Sequence, residues 1–277
     1  MPSKYHFVSG LPRSGSTLLG ALLRQNPRFH ASMTSPVGYL ANALLQEMSS
    51  TETAMLLDSA QQPQILRGLF DSFYASQSHC EVVFDTNRLW CSKLSLLRNL
   101  YPDAKVIVCV RDLMWVLDSL ERLIRNQPYR YSKLFNSITE SATVYSRVEA
   151  LTQTHGLVGF SWAALKEAFY SDQADSLLIV EYEYLAREPE KVLRLIYQFI
   201  GEPWNAHANF ENIDFDAPEF DKVLGLDGMH RVRSKVSFQA RQSVLPPDIA
   251  AKFKNSSFWR DGTGSRAHVI ASKPAQI

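Results

Sequence analysis

Tyr5-His6-Phe7-Val8-Ser9-Gly10-Leu11-Pro12-Arg13-Ser14-Gly15-Ser16-Thr17-Leu18-Leu19-Gly20-Ala21-Leu22-Leu23 is the stretch whose reading decides the fold. Residues 5–9 have the aromatic and β-branched content of a buried strand, residues 10–15 form a glycine-bounded turn, and residues 17–23 are helical. Gly10 and Gly15 have the G-x-x-x-x-G spacing of a nucleotide-binding P-loop, with Ser16 and Thr17 where such a loop would carry Lys and Ser/Thr. Glycines there let backbone N–H groups turn inward, and the following helix offers its positive end to an anion. The lysine that reaches terminal phosphates is missing. Arg13 supplies instead a planar cation suited to bidentate oxyanion contacts. The loop is therefore expected to take a nucleotide with a 5′ phosphate and one transferable anionic group in preference to a triphosphate.

Outward from this unit, apolar runs at residues 81–84, 104–110 and 176–180 read as further strands. Helical pattern follows over residues 90–100, and Val192, Leu195, Ile196, Phe199 and Ile200 keep three-and-four spacing up to Gly201. Near-continuous apolar strands alternating with helices predict a mostly parallel sheet covered on both faces. Residues 36–78 and 114–170 lack strand signals and read as inserted helices, expected to roof a site at the carboxyl ends of the strands. The tail beyond residue 216 reads as loops with one short helix near residues 247–254. No repeat or linker divides the chain, so residues 1–277 are expected to form a single domain.

The 277 residues carry 29 Lys plus Arg against 28 Asp plus Glu, and are 45% hydrophobic and 21% charged. This composition argues against disorder and against a polyelectrolyte partner such as nucleic acid. Cys80, Cys91 and Cys109 lie in apolar surroundings with no C-x-x-C pair, which predicts free buried thiols and no zinc site. No signal peptide or membrane-spanning run is legible, and a cytoplasmic protein with no membrane partner is expected.

The string Pro12-Arg13-Ser14-Gly15-Ser16-Thr17, directly after a strand, resembles the 5′-phosphosulfate loop of sulfotransferases that use 3′-phosphoadenosine 5′-phosphosulfate (PAPS). A second family motif is an arginine at a strand end with a serine eight residues on, both gripping the 3′ phosphate. Arg111 after residues 106–110, followed by Ser119, resembles it. Residues 180–204, with Tyr182 and the helix ending Gly201-Glu202-Pro203-Trp204, are similar to a third family segment in which Tyr182 would reach the nucleotide. Arg233 and Lys235, in the basic run of residues 229–235, correspond to a C-terminal loop that closes over the nucleotide. The resemblance implies an α/β, three-layer P-loop-NTPase-like fold, mostly parallel with flanking helices and helical insertions over the active site. It implies PAPS as sulfuryl donor, PAP (3′-phosphoadenosine 5′-phosphate) as product and direct in-line transfer without a metal, to a hydroxyl or amine. The acceptor would be a small molecule, glycan or peptide side chain, bound by a monomer or homodimer.

The sequence departs from its relatives at the general base. The glutamate of tyrosylprotein sulfotransferases has no counterpart in residues 31–36. The Lys-Thr-His of cytosolic sulfotransferases is replaced by Asp85-Thr86-Asn87-Arg88. Asp85, ending an apolar strand, is the leading candidate base, with Arg13 as the cation; His30 and His6 are alternatives. Asp85 equally suits a structural role, bonding the Arg13 loop or capping the helix near Trp90. Arg88, Ser35 and His30 are candidate acceptor-side residues, and Tyr129, Arg130, Tyr131, Phe135 and Tyr145 are candidates to line an acceptor pocket. Two rival functions stay open: a P-loop kinase or NTPase, with Asp85 as magnesium ligand, and a non-catalytic nucleotide-binding protein of this fold.

Overall fold

The computed structural model describes residues 2–206, 209–232 and 236–271. Six strands, β1 (Lys4–Gly10), β2 (Phe29–Ala31), β3 (Val82–Thr86), β4 (Val106–Val110), β5 (Leu177–Glu181) and β6 (His268–Ile270), form one sheet in the order β2-β3-β1-β4-β5-β6. Every neighbouring pair is parallel, with Phe7 opposite Val106 and Gly10 opposite Cys109. The helices are α1 (Ser16–Leu23), α2 (Val37–Met48), α3 (Thr51–Met55), α4 (Gln61–Phe73), α5 (Leu94–Leu100), α6 (Leu113–Arg125), α7 (Ile138–Ser141), α8 (Val144–Thr152), α9 (Leu157–Phe169), α10 (Tyr182–Arg187), α11 (Pro189–Ile200), α12 (Pro218–Leu224) and α13 (Pro247–Lys252).

The apolar strands feed two cores because successive side chains point to opposite faces. On one face Tyr5, Phe7, Val83, Val106, Val108, Leu177 and Ile179 pack together, joined by Phe70, Trp90 and Phe169. On the other, Val8, Phe84, Ile107, Cys109, Leu178 and Val180 meet Leu19, Leu22, Ile196 and Tyr197. Burying one such side chain contributes about 1.5–3 kcal/mol, so both faces of the sheet must be covered. α11 ends where Gly201 takes a left-handed φ of 71°. All three cysteines are free and buried, as their surroundings suggested. No helix among the described residues is long and apolar enough to cross a membrane.

β2 and β6 escape sequence reading because each is three residues long with only two apolar residues, His30 standing between those of β2 and His268 before those of β6. The stretch before α5 begins as a 3-10 helix, Arg88–Lys93, because the Asn87 side chain caps it by accepting from the Leu89 N–H. α12 is a further helix in a tail that read mostly as loop.

Chain order reverses around β1: β3 lies on one side of it and β4 on the other, which opens a crevice at their carboxyl ends. Gly10 makes the exit from β1 possible. Its φ is 115°, and a Cβ there would sit 2.1 Å from the Cys109 carbonyl oxygen on β4. At the same end of the sheet Asp85 is fully buried, accepting from Ser35 Oγ (2.6 Å), Tyr74 Oη (2.6 Å) and Trp90 Nε1 (2.7 Å). Burial raises its carboxyl above the ordinary range while the three donors oppose that rise. Asp85 thus ties β3 to the segment preceding α2, to the end of α4 and to the 3-10 helix.

Gly10→Ala is expected to destabilise the fold by about 3 kcal/mol or more through backbone strain and the clash with β4. Asp85→Ala, which strands three buried donors, is expected to cost a similar amount, about 3 kcal/mol. Denaturant unfolding of both variants measures this; unchanged midpoints would contradict the packing described.

Candidate active site

The turn after β1 is pinned from β4. The Cys109 carbonyl accepts the Leu11 N–H at 2.9 Å and the Ser14 hydroxyl at 2.8 Å, and Ser14 also donates to the Leu11 carbonyl. Gly15, at φ 95°, is the N-cap of α1 and gives it no side-chain cap. The first-turn N–H groups of α1 are thereby left for an anion. A Cβ on Gly15 would come within 2.9 Å of the Tyr182 ring, which closes over the loop from the start of α10.

This loop forms one wall of a cleft of about 280 Å³. Its lining takes in residues 8–13 and 15–18, and adds Thr86 at the end of β3 with Asn87 and Arg88 beyond it, Arg111 after β4, Ser119 on α6 and Tyr182 after β5. Arg13 adopts a left-handed φ of 58°, uncommon for a residue with a Cβ. That turn carries its guanidinium across the cleft, where Nε donates to Ser119 Oγ at 3.1 Å and Nη1 donates to the Met229 carbonyl. Burial, reinforced by the charges of Arg111 and Arg241, lowers the guanidinium to about 10, so it stays cationic at neutral pH. Arg111 stacks 4.3 Å above the Tyr182 ring and donates from Nε to Glu183 Oε1 at 2.8 Å. One carboxylate and one ring thus aim the Arg111 fork into the cleft.

The opposite wall comes from residues 229–232 and 236–241. It is anchored by Asp118 of α6, fully buried, which accepts from Arg241 Nη2 at 2.7 Å, Arg122 Nε at 3.0 Å and the Val244 N–H at 2.8 Å. Within this wall His230 is held by Asp221 of α12, also fully buried. Asp221 Oδ1 lies 2.5 Å from His230 Nδ1, and Oδ2 accepts the His230 backbone N–H at 2.9 Å. Burial lowers the His230 pKa, Asp221 opposes the shift, and Arg13 and Arg88 add to it.

Of the residues singled out in the sequence, Pro12, Arg13, Gly15, Ser16, Thr17, Arg88, Arg111, Ser119 and Tyr182 come together around this cleft. Ser14 does not line it, because its hydroxyl is spent on the loop and β4. Asp85, expected as base, is sealed in the core, and so is Ser35, whose hydroxyl donates to it. His30 packs against Tyr74 with ring centroids 5.4 Å apart, and His6 sits at the far end of β1; neither lines the cleft. Tyr129 is 99% exposed, Phe135 lies in the core, and Arg130 pairs with Asp227 at 2.8 Å, so these residues line no part of the cleft. Of the inserted helices, α6 reaches the cleft through Ser119, whereas α4 and α9 cover a sheet face through Phe70 and Phe169, and the tail forms the far wall. Arg233 and Lys235 lie outside the described residues. Asp221 and the His230 pairing were missed: in sequence, His230 is one member of a basic run, and its partner lies nine residues back across a glycine turn.

Residues 6–206 match the sulfotransferase family pattern (Sulfotransfer_3). The zebrafish (Danio rerio) protein-tyrosine sulfotransferase 1 is 26% identical over 211 residues, spanning 72% of this chain and 53% of that protein. The chain thus matches about half the length of that curated relative. Among solved structures, the sulfotransferase domain from the curacin biosynthetic pathway aligns with a TM-score of 0.50 at 18% identity, over 92% of this chain and 91% of that one. The sulfotransferase domain of the Synechococcus PCC 7002 olefin synthase aligns over 91% and 94%, with a TM-score of 0.48 and 21% identity. With its motifs gathered on one cleft and the family pattern running from β1 past the end of α11, this chain belongs to the sulfotransferase family.

Proposed function

We propose that the cleft binds PAPS and that the protein moves its sulfuryl group in line to a hydroxyl or amine acceptor. One observation carries this reading: a glycine loop at a helix N-terminus and an arginine-serine pair from two other elements meet in one cleft at the switch point of a parallel sheet. Such a site suits a ligand with two separate anionic ends. The α1 N-terminus and the loop N–H groups would hold the 5′ phosphosulfate, while Arg111 and Ser119 would hold the 3′ phosphate. Bound PAPS supplies an activated sulfuryl group on a phosphate leaving group. Arg13 stabilises the negative charge that grows on the leaving oxygen, exchanging its contacts with Ser119 and Met229 for the ligand's oxygens. Arg88 faces the acceptor side.

The kinase reading is weaker on two counts. Ser16 stands at the lysine position, and Asp85, the magnesium ligand such an enzyme would need, already satisfies three donors within the core. The acceptor is proposed as a hydroxyl compound small enough, or extended enough, to enter the cleft between Thr34, Arg88 and residues 229–241.

Arg111→Ala is expected to weaken PAP binding about 10–100-fold, the loss of a charge-assisted bidentate contact, while leaving 5′-AMP affinity nearly unchanged. Arg13→Ala is expected to lower kcat for sulfuryl transfer more than PAP affinity. Calorimetry with both nucleotides and PAP release from PAPS measure these outcomes; equal loss of PAP and 5′-AMP binding in Arg111→Ala would contradict the assignment of the 3′ site.

A further inference from the structure

The described cleft lining contains no carboxylate, and His230 is its one histidine. Both expected sources of a base have left the site: Asp85 is saturated in the core, and His30 and His6 lie elsewhere. A hydroxyl acceptor must lose a proton as it attacks. We propose that His230 is the general base of the reaction and that Asp221 is its positioning residue; the assignment rests on the reading of the cleft as a PAPS site.

The geometry fixes one tautomer. Asp221 Oδ2 takes the backbone N–H of His230, a bond that cannot be reversed, and Oδ1 faces the ring at Nδ1. A buried carboxylate accepts only, so Nδ1 carries the hydrogen and Nε2 keeps the lone pair. Among the described residues nothing hydrogen-bonds Nε2. The ring of Phe220, 5.3 Å away and near perpendicular, packs beside the imidazole. The same residue run binds Arg13, since the Met229 carbonyl accepts its Nη1, so base and cation share one short segment.

In the step, Nε2 takes the acceptor proton as the acceptor oxygen bonds to sulfur. The bond from sulfur to the bridging phosphate oxygen breaks with its electron pair left on that oxygen, and the imidazolium later returns its proton to water. The charged groups facing His230 are Asp221 from α12, Arg13 from the loop and Arg88 from the turn after β3. Burial outweighs Asp221, so the ring is neutral at neutral pH and ready to accept. Loss of Asp221 would lower the pKa further. Asp221→Asn has a sharper effect: its single carbonyl must serve the fixed backbone N–H, its amide N–H₂ then faces Nδ1, and the ring is forced into the Nε2–H tautomer.

The test uses the full chain as wild type, His230→Gln and Asp221→Asn, with three readouts. These are calorimetric PAP affinity, PAP release from PAPS across pH with phenol and with water as acceptor, and histidine tautomers by ¹⁵N NMR. Expected are wild-type-like PAP binding in both variants and a loss of turnover of about 100-fold or more in His230→Gln. The wild-type rate should rise with pH through one ionisation below the ordinary histidine range, and that limb should vanish in His230→Gln. NMR should show His230 as the neutral Nδ1–H form in wild type and the Nε2–H form in Asp221→Asn. An Nε2–H tautomer in wild type, a retained acid limb in His230→Gln, or PAP binding without turnover in wild type would overturn the dyad. Failure of wild type to bind PAP would instead overturn the PAPS reading on which it rests.

Discussion

Everything at the cleft depends on how the Cys109 carbonyl receives the turn after β1. That one acceptor at the end of β4 binds both the Leu11 N–H and the Ser14 hydroxyl, and it can do so only because Gly10 brings no Cβ against it. The turn is thus stitched to the neighbouring strand before it enters α1. A loop held this way presents backbone N–H groups without reorganising when an anion arrives, which is where much of its binding advantage would arise.

A nearly neutral protein gathers cations here partly by pairing Arg111 and Arg241 with carboxylates that aim them. Glu183 aims Arg111 from one side as Tyr182 supports it from below, and buried Asp118 draws Arg241 and the backbone near Val244 onto the far wall. Among the described residues no carboxylate pairs with Arg13; its guanidinium rests on a serine hydroxyl and a backbone carbonyl, neutral partners easily exchanged for a charged ligand. The formal charge of +1 therefore says little about what the cleft attracts.

The fold was legible because its evidence is local and periodic: a continuous apolar run such as residues 106–110 can hardly be other than a strand buried on both faces. The loop side of the cleft was legible for the same reason, since the loop is a contiguous string and Arg111 and Ser119 sit on one strand-helix unit. What could not be read is long-range partnership. Asp85 looked like a base because it ends a strand at the right edge, yet only tertiary packing reveals the hydroxyls of Ser35 and Tyr74 and the Trp90 indole around it. His230 looked like one member of a charge run, because nothing in the spacing to Asp221 shows that a short helix and a glycine turn fold the pair together.

The central claim is that one cleft was built for a nucleotide with two separated phosphates, and calorimetric titration of the wild-type protein with PAP against ATP plus magnesium tests it most directly. The account predicts measurable binding of PAP at least about tenfold tighter than of the triphosphate, the equivalent of one charge-assisted contact. Tighter binding of magnesium ATP, or no binding of PAP, would contradict it.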